Sequence, residues 1–91
     1  MNPEAREQLR LSLIRFLDAN NTRFGIGTAL LLQHARAEGR PDLKKADVDA
    51  ELRYLEDKGY AEEALKGISP ENPAWRITAA GRDFYAQLTS E

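Results

Sequence analysis

Cysteine is absent from the 91 residues, which excludes a disulfide framework, a thiol nucleophile and a thiolate metal site. Histidine is almost as scarce. His34 is the only one, no serine or threonine has a recognisable base partner, and no His, Asp and Glu cluster has metal-ligand spacing. The chain is therefore read as a non-enzyme with no cofactor and no metal. The Glu62-Glu63 pair does not alter this, because neighbouring residues of a strand point to opposite faces and are poorly placed as an acid and base pair. Long apolar runs are also missing. Nothing approaches the roughly 18 to 20 residues of a membrane span, and Asn2-Pro3-Glu4 does not open a secretory signal, so the expectation is a cytoplasmic protein with no membrane partner. Finally, there is no excess of positive charge. Thirteen basic residues against fifteen acidic give a net charge of −2, and the sequence pI is near 5.4, far from the basic footprint of a dedicated nucleic-acid binder.

What is present suits a single folded domain over residues 1–91. The 42% hydrophobic fraction is ordinary for a globular chain, and the 31% charged residues are mixed in sign. Asn2 as a cap, Pro3 at the first helical position and an early Glu4 predict a helix over about 3–20, with Ala5, Leu9, Leu13, Phe16 and Leu17 on its apolar arc. Leu11 falls off that arc, as an isolated surface leucine or part of a subunit contact. Residues 22–27, with two glycines, read as a tight connector or very short strand that anchors Phe24 and Ile26. A second helix over about 28–38 starts with Thr28 as N-cap. It carries Leu30, Leu31, His34 and Ala35 on or near one face and stops at Gly39.

The third helix, over about 44–58, has the clearest pattern. Val48, Leu52 and Leu55 lie at i, i+4 and i+7, Leu43 and Val48 are spaced as a hydrophobic staple about Lys44, and Gly59 fits the C′ position. Asp47 completes half a capping box, and Asp42 is the alternative N-cap. Tyr60 to Leu65 and the alternating Trp75-Arg76-Ile77-Thr78 then predict a two-stranded hairpin, or wing, over about 60–78. Its loop is too long for a two-residue turn. Trp75 is read as core or wing-base packing with its N–H bonded outward. A last helix over about 79–89 returns Phe84, Tyr85 and Leu88 to the core, with Gly81 allowing close approach.

This order of elements resembles winged helix-turn-helix regulators over nearly the whole chain. The PadR-like and MarR-like families share Leu52-Arg53-Tyr54-Leu55-Glu56-Asp57-Lys58-Gly59-Tyr60 and Ile77-Thr78-Ala79-Ala80-Gly81 in kind. The opening Arg6-Glu7-Gln8-Leu9-Arg10-Leu11 also looks like small winged-helix proteins of tailed phages and prophages. The resemblance implies a mainly helical fold with a wing, a third helix that contacts duplex DNA, a role in transcription regulation, and a homodimer.

On that basis the DNA-contacting residues are Lys44, Lys45 and Arg53 on the third helix, with Lys66 in the wing and Arg76 at its base. Arg53 alone has the forked geometry suited to guanine. From Arg40 to Lys58, however, five basic residues meet six acidic ones: Asp42, Asp47, Asp49, Glu51, Glu56 and Asp57. Carboxylates oppose the counterion-release term that supplies non-specific affinity. The competing expectation is a winged helix that binds a protein through Leu11, Ala50 and Tyr54, unless Tyr54 folds back on the first or last helix.

Overall fold

The computed structural model describes residues 2–64 and 73–90. Its elements are α1 (Pro3–Ala19), β1 (Ile26–Gly27), α2 (Thr28–Ala37), α3 (Lys45–Asp57), β2 (Ala61–Ala64), β3 (Ala74–Ile77) and α4 (Ala79–Thr89). The chain is mainly helical with one small antiparallel sheet. The strand order is β1-β3-β2, so the predicted two-stranded hairpin gains a third strand from the glycine-flanked connector, where Ile26 lies opposite Trp75. Residues 65–72, which hold Lys66 and most of the expected wing loop, lie outside the described residues.

Local chemistry accounts for the helix ends. At α1, Asn2 Oδ1 accepts from the Ala5 N–H at 2.7 Å, beside Pro3 at the first helical position. At α3, Leu43 and Val48 are both buried, and the Lys44 N–H donates to Asp47 Oδ2 at 3.1 Å. Lysine has no acceptor to offer, so only this half of the box is chemically available. The exit of α3 is a Schellman turn: Tyr60 N–H donates to Leu55 O and Gly59 N–H to Glu56 O, both at 2.9 Å, with Gly59 at φ +80°. One start differs from expectation. Gly27 is the N-cap of α2, and Thr28, one residue inside, uses its hydroxyl to donate to Pro73 O at 3.2 Å, tying α2 to the entry of β3.

Those turns bring the exit of α3 to the start of α4. Thr78 Oγ1 donates to Gly59 O at 2.6 Å and accepts from Gly81 N–H at 3.0 Å. A Cβ at Gly81 would stand 2.1 Å from the Tyr60 carbonyl oxygen, so only glycine permits this approach. Phe84 then stacks on Tyr60 with ring centroids 4.4 Å apart.

The core centres on α1, which packs against α2, α3, α4 and β3. Because neighbours surround it on more than one side, Ser12 and Ile14 are buried along with Leu9, Leu13 and Leu17, a wider band than a single amphipathic arc provides. Leu31, Ala35, Val48, Leu52, Leu55, Trp75 and Ile77 complete that core. Three predicted core residues are exposed instead. Phe24 precedes the left-handed turn at Gly25, so that only Ile26 enters. Leu30 sits one residue off the buried Leu31 and Ala35 stripe, and Leu88 falls in the last turns of α4, beyond Phe84 and Tyr85, which do pack. Trp75 is buried as predicted, but its Nε1–H has no hydrogen-bond partner among the described residues.

Candidate nucleic-acid interface

The α3 helix divides into two faces. Val48, Leu52 and Leu55 are fully buried, while Lys44, Lys45, Ala46, Ala50, Arg53, Tyr54, Asp57 and Lys58 are exposed. Helical periodicity alone produces that division. The inner face nevertheless contains a charge. Glu51 is only 2% exposed, and both its carboxylate oxygens are held from α1: Arg10 Nε donates to Oε1 at 3.0 Å and Arg6 Nε to Oε2 at 3.3 Å. A buried carboxylate needs such partners, because stripping its water without replacement is costly. Glu51 thus belongs to the α1–α3 contact and leaves the tally of acids set against DNA. Its position was readable in part, since it lies three residues after Val48 and four before Leu55, on the buried stripe.

The predicted basic residues are distributed unevenly. Lys44 and Lys45 are exposed at the N-terminal end of α3 and Arg53 on its outer side, but two of the three already have acidic neighbours. Lys45 Nζ donates to Asp49 Oδ2 at 3.0 Å. Arg53 Nη1 donates to Glu56 Oε1 at 3.0 Å, stands 3.6 Å from Glu63 Oε2 on β2, and lies 5.0 Å above the Trp75 ring. The Glu56 hydrogen bond, followed by the charge of Glu63, holds the guanidinium pKa above its ordinary value. Arg53 therefore ties α3 to the hairpin as well as facing solvent.

Arg76 is elsewhere. It lies opposite Glu62 in the β2–β3 register and donates to Glu62 Oε2 from Nε at 2.8 Å. Alternation places this pair on the sheet face opposite Trp75 and Ile77, away from Arg53. Lys66 lies outside the described residues.

The residues proposed for protein contact also separate. Ala50 is exposed, Leu11 is half-buried, and Tyr54 folds back on α1 beneath Arg10, whose guanidinium stands 3.8 Å from the ring centroid. Lys58 approaches the same ring at 5.7 Å. Tyr54 remains 36% exposed, so the cation above it orders the ring without hiding it.

A second charged cluster, absent from the sequence expectations, joins α1 to the end of α2. Glu38 accepts from the Ser12 hydroxyl and from Arg15, with His34 at 3.5 Å and Arg40 at 3.8 Å. The Ser12 hydrogen bond, aided by Arg15, His34 and Arg40 and opposed by partial burial, holds this carboxyl below its ordinary pKa. His34 also packs its ring on Phe16, centroids 3.9 Å apart, a structural setting for the sole histidine.

Among the described residues, no helix is long and apolar enough to cross a membrane. Comparison with known proteins found no matching family model, no matching curated protein and no matching solved structure.

Proposed function

We propose that this chain is a winged helix-turn-helix domain, of the kind found in small transcription regulators and phage-encoded proteins, that contacts duplex DNA through α3 and the adjoining hairpin. The observation that carries this reading is the exposed side of α3, where Arg53 lies beside the small residues Ala46 and Ala50 and the exposed Lys44 and Lys45 stand at the N-terminal end. Small side chains let the helix approach a groove, and the cations meet phosphates or a guanine edge. The Lys45–Asp49 and Arg53–Glu56 pairs are exposed and worth about 0–1 kcal/mol each, so a phosphate can replace the carboxylate at low cost. A homodimer doubles the few contacts that one copy offers and addresses two half-sites.

Those same ion pairs support a second reading, in which the α3 face, with Tyr54 and Ala50, docks on a protein partner. Aromatic anchors among small residues suit such a contact. Titration of a labelled non-specific duplex separates the two. With three phosphate contacts per copy, the logarithm of the affinity falls with the logarithm of salt at a slope of about −2.7 per copy. Absence of binding at about 50 mM salt, or binding without a salt slope, removes the DNA reading.

A further inference from the structure

On the sheet face turned away from Arg53, a cavity of about 470 Å³ opens between the α1–β1 connector, the hairpin and the start of α4. Its walls include Asn21, Arg23, Glu62, Arg76, Ala79 and Arg82. Three arginines from three separate segments thus line one concavity with one carboxylate, Glu62, in a chain whose overall charge is negative. Arg76 is engaged with Glu62, whereas Arg23 and Arg82 form no ion pair among the described residues. An anion seated between two arginines that have no carboxylate partner among the described residues accepts their forked hydrogen bonds and neutralises their charge.

We propose that this cavity is a binding site for a phosphoryl group, held by Arg23 and Arg82, with the Arg76–Glu62 pair in the same lining setting the charge balance. The first turn of α4 begins at this wall, so its N–H dipoles add to the same field. The site does not rest on the DNA reading, because its residues lie off the α3 face. Its ligand is a phosphate monoester or the phosphodiester backbone of a nucleic acid, which present the same acceptor oxygens.

The test is a titration of the ¹⁵N-labelled full chain with inorganic phosphate at constant ionic strength, chloride being the control, read at the arginine Nε–H and α4 amide signals. Saturable shifts at Arg23, Arg82 and Ala79 are expected. Arg23→Gln and Arg82→Gln should each weaken binding by about tenfold, as loss of a charged hydrogen bond does. Glu62→Gln, which removes the opposing carboxylate, should tighten it. These are surface substitutions, and circular dichroism verifies the fold of each variant. Shifts that never saturate, that chloride reproduces, or that persist unchanged in both arginine variants overturn the proposal; weaker binding by Glu62→Gln does so as well. A blunt duplex lacking terminal phosphates that moves the same signals identifies the phosphodiester source. Response to phosphate and a phosphomonoester alone identifies a small ligand. A Lys44→Ala, Lys45→Ala and Arg53→Ala triple variant should lose α3-mediated DNA binding while retaining phosphate binding, so either idea can fail without the other.

Discussion

Two arginine–glutamate arrangements sit on α3, one on each face, and their difference separates what holds the fold together from what stays exchangeable with solvent. On the inner face, Glu51 is sealed between α1 and α3 with both oxygens bound by Arg6 and Arg10. On the outer face, Arg53 meets Glu56 and Glu63 with more than half of its side chain in solvent. The chemistry is the same, but the solvent is not. Water screens and competes at Arg53, so that pair is exchangeable; at Glu51 the carboxylate has no water to fall back on.

The largest expected effect tests whether the inner face is chiefly apolar in its energetics. Leu52 is fully buried between the charged residues Glu51 and Arg53 in sequence, and Leu52→Ala should lower unfolding free energy by about 3 kcal/mol, measured by urea denaturation. A loss below that of Glu51→Ala would invert the ranking and make the ion cluster the dominant link. Glu51→Ala should itself cost about 2 kcal/mol. That is less than for a wholly buried pair, because Arg6 is half exposed and can recover its hydration. Restoring volume without charge through Glu51→Leu separates lost packing from lost pairing.

Between these extremes stands Glu38, a partly exposed carboxylate that joins α1 to α2. Its pKa is held below the ordinary 4.5, chiefly by the Ser12 hydroxyl, so the folded state binds its proton less readily than the unfolded chain does. The associated stability is full above 4.5 and is lost as pH falls through 4.5 toward the lowered folded value. Glu38→Gln should therefore cost about 1 kcal/mol near neutrality and show a shallower loss of stability than the parent below about pH 4.5. Urea midpoints at several pH values measure both. Equal slopes in the two proteins would mean that Glu38 is not an acid-sensitive link.

The comparison also shows what the chain discloses before it folds. Periodicity and end signals specify the elements closely, because Val48, Leu52 and Leu55 recur at helical spacing and Gly59 and Thr78 cap helix ends through partners within a turn. Glu51 was legible only as a residue on a buried stripe; its partners lie 45 and 41 residues away, and no local rule brings them together. The same holds for Arg53. Helical phase places it outward, yet its contacts with Glu63 and Trp75 depend on where the hairpin packs. Proximity to the wing groups Arg76 with Arg53 in the sequence, whereas the β2–β3 register turns it to the other sheet face. Candidate cations were therefore identifiable by type and phase, and their grouping into sites was not.

The smallest stability effect carries the sharpest functional test. Lys45→Ala breaks only the exposed pair with Asp49 and should change unfolding free energy by no more than about 0.5 kcal/mol. Its effect on DNA should be selective: weaker affinity for all duplex sequences and a salt slope reduced by about 0.9 per copy, the signature of one lost phosphate contact. On the proposed DNA contact, Arg53→Ala should lower affinity and also relax base preference, because its fork suits guanine and its removal leaves Glu56 and Glu63 without that cation. If both substitutions leave duplex affinity and slope unchanged while impairing capture of a protein partner, the exposed pairs of α3 are protein-docking elements. The distinction between committed and exchangeable ion pairs would then survive, with a protein carboxylate or amide taking the place assigned here to phosphate.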